Sequence, residues 1–119
     1  MKLTHERYHD FHGLFQDIIT HYGQSDWSHF LPDLVLYHDP SYGCMGEFDD
    51  DVEEVSINIA QCKTTRQAIQ TMIHEYQHYL QPRNGWYDRH FKNGHTYDTH
   101  PYEIEANEIA ARDWKLFVE

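Results

Sequence analysis

Positive charge is scarce in this chain: 9 Lys and Arg face 20 Asp and Glu, for a formal charge of -11 over 119 residues and a pI near 5.3. Sequence-independent nucleic-acid binding rests on cations against phosphate, so this balance argues against a DNA partner and against an anionic membrane surface. Long apolar runs are absent and mean hydropathy is -0.82, which speaks against a membrane-spanning segment. The start, Met1 to Asp10, carries charges and His where a signal peptide needs an apolar stretch. The expectation is a soluble, cytoplasmic protein. Cysteine is scarce too. Cys44 and Cys62 form no CxxC pair, so two reduced thiols packed as small hydrophobes are expected in place of a disulfide framework.

One residue type is abundant instead: 11 His. Imidazole is the commonest transition-metal ligand and titrates near neutrality, which makes metal or proton chemistry the question to ask. The length suits one domain, residues 1–119, able to bury a modest core without disulfides.

Periodicity gives the layout. Tyr8, Phe11, Phe15, Ile18, Ile19 and Tyr22 recur at helical spacing, so 5–22 reads as an amphipathic helix stopped by Gly23. Leu34 to His38 and Tyr42 to Phe48 read as short strands, and Val55, Ile57 and Ile59 alternate with small or polar residues to Ala60 as a third. Thr64 and Gln67 fit a capping box, and Pro82 with Asn84-Gly85 marks the end of a helix over 65–81. A polar loop, 83–99, separates it from a last helix opened by Pro101 and running from Tyr102 to Phe117. Helix, small three-stranded sheet, helix, loop, helix is an α+β order.

The central helix carries His74-Glu75-Tyr76-Gln77-His78. Residues four apart share a helix face, so His74 and His78 can bind one ion while Glu75 reaches a water beside it. In a chain this rich in His the pattern alone is weak, but it lies in a well-capped helix, on the face opposite the stripe of Ala68, Ile69, Met72, Ile73, Tyr76 and Tyr79. A catalytic zinc takes three protein ligands. Glu103, Glu105 and Glu108 are the downstream candidates. Glu103 falls within the apolar arc of the last helix beside Ala110 and Trp114, Glu105 sits at its margin, and Glu108 points away toward Arg112. A carboxylate on a core-facing stripe needs a partner, and a metal is a strong one; a plain N3 helix cap is the simpler alternative. Asn107, one turn on, can bond a ligand His from behind.

The pair His74-Glu75-x-x-His78 and Glu103-x-x-Ala106-Asn107-x-x-Ala110 resembles the gluzincin metallopeptidases, most closely the small ImmA/IrrE-type and phage-associated proteins. The resemblance covers about half of the chain, from Val55 onward. It implies a zincin-like domain with one Zn2+ held by His74, His78 and Glu103, Glu75 as catalytic base, and a protein or peptide substrate. A regulatory protein partner is left open. As the expected mode of binding, the substrate adds as a strand to the edge of Val55 to Ala60. Tyr97, His95 and Tyr87, with His90 and His100 nearby, are the loop residues that can donate to a developing oxyanion.

Two other readings stay open. A zinc-stabilised binding module would use the ion for folding energy alone. A His third ligand, His90 or His95, would point to an SprT-like protease. His5, His9 and His12 lie at i, i+4, i+7 without an acidic or Cys partner and read as a surface stripe. The run Glu47 to Glu54 holds six acidic residues in eight; it reads as a solvated hairpin tip, or as a surface for a basic substrate.

Overall fold

The computed structural model describes residues 11–118; His5, His9 and the start of the expected first helix lie outside them. Helix α1, Phe11–Tyr22, buries Phe11, Phe15 and Ile18 and leaves His12 exposed. Gly23, at φ +82°, ends it in the left-handed conformation, its N–H bonded to the Ile19 carbonyl at 2.7 Å.

Three strands follow: β1 Asp33–Tyr37, β2 Gly46–Asp49 and β3 Glu54–Asn58. Their order is β1-β3-β2, with β1 parallel and β2 antiparallel to β3. Val55 and Ile57 are fully buried, as the period-two pattern requires. Two expectations change here. β3 is the central strand, paired on both sides, so it offers no edge to a substrate; the outer edge beside the next helix belongs to β2. The strand also stops at Asn58 instead of Ala60. The Asn58 side chain accepts from Ala60 N at 3.3 Å and turns Ile59–Gln61 into a 3-10 helix, while bonding Asp39 and Tyr42 of the β1–β2 connection. The acidic run forms the β2–β3 hairpin, its tip largely solvated.

Helix α2, Thr65–Leu80, has the expected N-cap: Thr64 accepts from Gln67 N at 3.1 Å. Gln67 reaches back to the N–H of Lys63 at 2.7 Å, one residue earlier than in a standard capping box. Ala68, Ile69, Met72, Ile73, Tyr76 and Tyr79 are fully buried against α1 and the sheet. The expected irregular loop contains a further helix, α3, Trp86–Lys92. Helix α4, Pro101–Asp113, begins with Pro101 at its first turn and His100 as N-cap, whose Nδ1 accepts from Tyr102 N at 3.1 Å. The last turn tightens into a 3-10 helix, Trp114–Phe117, which buries Phe117 but leaves Leu116 63% exposed, off the apolar arc expected of a continuous helix. Arg112 closes on Asp113 at 2.7 Å, and no pairing with Glu108 is present among the described residues. No helix is long and apolar enough to cross a membrane, among the described residues.

Candidate metal centre

Helices α2 and α4 pack against each other, and the polar edge of α2 meets Glu103, one of two carboxylates that α4 buries. One helical turn separates His74 from His78, so their rings stand 4.8 Å apart at 80° and their Nε2 atoms are 3.1 Å apart. Glu103 Oε1 lies 2.9 Å from His78 Nε2 and 3.5 Å from His74 Nε2. Glu103 is 4% exposed, buried on α4 like Ala110, whereas Trp114, also expected beside it, lies beyond the helix in the 3-10 turn; Glu103 Oε2 has no hydrogen-bond partner.

Gln81, not singled out in the sequence, orients the nearer imidazole. At the C-cap of α2, its Nε2 donates to Tyr102 O at 2.9 Å and to Glu105 Oε1 at 3.1 Å. Its Oε1 therefore accepts, and the 2.8 Å contact to His78 places a proton on Nδ1. The neutral ring then keeps its Nε2 lone pair for a cation, and the protonated ring donates from Nε2 to Glu103 Oε1, 2.9 Å away. Bonding the imidazole from behind is the role expected of Asn107. Asn107 instead stands exposed in the cleft wall, with no bond to either imidazole among the described residues. Glu105 is a support for Gln81 and not a donor to the group. The readable signal was Gln81 three residues after His78, one turn along the same helix.

The donor set fits a small divalent cation. A tetrahedral ion with bonds near 2.0–2.1 Å needs donors about 3.3 Å apart, and the three separations of 2.9, 3.1 and 3.5 Å bracket that value. The orphaned Glu103 oxygen is a buried acceptor awaiting a positive partner. Charges in the group respond accordingly. For His78, burial disfavours the charged ring, but the bond to Glu103 and the charges of Glu75 and Glu103 outweigh it and raise the pKa. For Glu103, burial is likewise outweighed by its bonds to both imidazoles, and its carboxyl falls to about 2. The group thus draws positive charge toward itself. His74, His78 and Glu103 can hold a metal ion. His90 and His95 do not join them. Asp49, Asp50 and Asp51 also cluster, but all are exposed on the hairpin, where acidic groups are common without an ion.

Glu75 stands next to this triangle without belonging to it. Its Oε1 is 3.7 Å from His74 Nε2, beyond hydrogen-bond reach, and it is 7% exposed. Burial raises its pKa, with the two imidazoles pulling the other way. Strand β2 crosses directly above: a Cβ on Gly46 would fall 2.7 Å from Thr71 Cγ2 and 3.3 Å from Glu75 Cγ. Only glycine lets the strand lie so close.

A cleft of about 1290 Å³ opens over the group, between β2 and the α3 side. Of the three expected donors, Tyr87 and Tyr97 line it and His95 does not. The Tyr87 ring meets His78 edge-on at 5.7 Å, and burial, then the charge of Glu103, then Tyr97 beside it, push its phenol far above the usual range. Helix α3, missed in the sequence, puts it there. His95 bonds Thr99 at 3.2 Å instead. His100 is fully buried and bonds the Tyr87 carbonyl at 2.8 Å, which ties α3 to the start of α4. No protein-family model, curated protein or solved structure matches the chain.

Proposed function

We propose that the protein is a zinc-dependent metallopeptidase with a zincin-like site, in which His74, His78 and Glu103 hold Zn2+ and Glu75 is the general base. The observation that carries this reading is the convergence of two Nε2 atoms and a buried carboxylate oxygen, with a second buried carboxylate set just outside them. Two imidazoles and one carboxylate suit zinc, and three protein ligands leave a position free. Zinc bound there supplies Lewis acidity, which acidifies water and polarises a carbonyl.

The chain's own groups do the rest. Glu75 takes a proton from the attacking water and returns it to the leaving amine; its raised pKa brings it closer to the working pH. The Tyr87 hydroxyl donates to the carbonyl oxygen as negative charge develops. Gln81 keeps His78 in the tautomer that presents Nε2. A peptide adds to the outer edge of β2, which no strand among the described residues pairs with, and so passes over Glu75.

The test is hydrolysis of a peptide library by the zinc-loaded protein. Glu75→Gln should retain zinc and lose turnover by about a hundredfold or more, and Tyr87→Phe should lower kcat with little change in KM. Unchanged turnover in Glu75→Gln removes it as the base. Zinc retention without any turnover in the parent protein favours a zinc-stabilised binding module.

A further inference from the structure

The exposed charged side chains on the walls of the cleft are all acidic. Glu47 and Asp50 stand on the β2 side, Asp88 and Asp98 on the side of α3 and the loop after it, and all four are exposed. Among the described residues no Lys or Arg pairs with any of them. Arg83 is the one Lys or Arg in the lining, and it is already spent. Its guanidinium makes a two-pronged pair with Glu53, donates to Tyr79 O at 2.8 Å, and lies over the Phe48 and Tyr79 rings.

A bound dication does not cancel this field. A dication held by His74, His78 and Glu103 would have its charge matched by Glu103 and Glu75, leaving the negative walls without a counter-charge from it. The walls also carry the exposed rings of Tyr42 and Tyr97, 42% and 68% accessible, which offer faces to a cation. The volume, about 1290 Å³, exceeds that of most small-molecule sites and suits a length of chain.

We infer that the cleft takes polypeptide segments rich in Lys or Arg, whose side chains reach the carboxylates on both walls while their backbone crosses Glu75. The inference rests on the peptidase reading for where the backbone passes; the charge preference is a property of binding alone. Carboxylates lining a concave, low-dielectric wall concentrate cationic segments and repel acidic ones.

Three fluorescent dodecapeptides test it: one alternating Lys and Ala, one with norleucine in place of each Lys, and one with Glu. Binding to zinc-loaded Glu75→Gln protein is read by anisotropy at about 20 mM and about 300 mM salt. The Lys peptide should bind at least about tenfold tighter than the norleucine peptide at low salt, with most of the gap lost at high salt. The Glu peptide should bind weakest. Adding Glu47→Gln with Asp50→Asn, or Asp88→Asn with Asp98→Asn, should narrow the gap severalfold, and Asp17→Asn on α1, outside the cleft, should leave it unchanged. Equal binding of the Lys and norleucine peptides overturns the inference, as does an Asp17→Asn effect as large as that of the wall variants. Cleavage of unlabelled peptides by the parent protein separates the two claims. Cleavage together with equal binding of the Lys and norleucine peptides defeats the charge preference and leaves the peptidase standing. Wall-dependent binding without cleavage does the reverse.

Discussion

Replacing Gly46 by alanine should damage both stability and the site, for a steric reason that can be isolated. The added Cβ would lie 2.7 Å from Thr71 Cγ2, 3.1 Å from Ser56 O and 3.3 Å from Glu75 Cγ. Carbon atoms settle at about 3.5–4.0 Å, so the overlap with the Thr71 methyl is roughly 0.8 Å or more. Gly46 is not among the positive-φ residues, so no backbone strain adds to this. Overpacking of this kind costs about 1–3 kcal/mol. With about 2.1 cal/mol/K of unfolding entropy per residue, a chain of this length loses roughly 4 °C of Tm per kcal/mol, hence about 4–12 °C. Thr71→Ser removes only the offending methyl and keeps the hydroxyl that donates to Gln67 O at 2.7 Å. Urea and thermal midpoints for the parent, Gly46→Ala, Thr71→Ser and the double variant close a cycle. The double variant should recover about half the loss or more, a coupling near 1 kcal/mol. The proposed peptidase activity should also fall with Gly46→Ala, because Glu75 is displaced. A Gly46→Ala midpoint within error of the parent, or a loss that Thr71→Ser leaves untouched, would refute the close approach of β2 to α2.

Two further outcomes follow from the same structure. Gln81→Leu should weaken zinc about 10–100-fold, measured by competition with a chromophoric chelator, because His78 loses the acceptor that fixes its tautomer; unchanged affinity would show that Gln81 does not orient the ring. Asp113 is held down to about 2 by Arg112, with help from the Tyr22 hydroxyl at 2.6 Å and against the effect of burial. An unfolded Asp titrates near 3.9, so this depressed carboxyl stabilises the fold fully above about pH 4 and loses its contribution as the pH falls toward 2. Asp113→Asn should therefore be less stable than the parent at pH 7, with the gap in urea midpoint closing between about pH 4 and 2; a gap that is constant down to pH 2 contradicts the assignment.

Much of the architecture was legible because local signals agreed with one another. The cap at Thr64, the apolar stripe from Ala68 to Tyr79 and the stop at Pro82 all described one helix. Glu103 was legible for a related reason: a charge on an apolar arc is costly enough to demand explanation. Strand pairing was not legible. Residues 54–58 show the alternation of a strand with one buried face, yet nothing local says whether such a strand is central or at an edge, and pairing β1 parallel to β3 depends on contacts far apart in sequence. Helix α3 was missed because seven residues hold too few turns for a periodic stripe, and its N-cap, Gly85 at φ +87°, carries no side chain to mark it. Asn107 was read in place of Gln81 because both are amides about one turn from a ligand. The spacing of Gln81 from His78 was readable, but its role depends on the bonds from its amide to Tyr102 and Glu105, which come from the packing of α2 on α4.

The central claim is that His74, His78 and Glu103 are one metal site. Native mass spectrometry of the purified protein after zinc loading and removal of loosely held ions measures it directly. The account predicts one zinc per chain in the parent and in Glu75→Gln, and none in His78→Ala or Glu103→Ala where circular dichroism shows each variant folded. One zinc per chain retained by both folded ligand variants would contradict it.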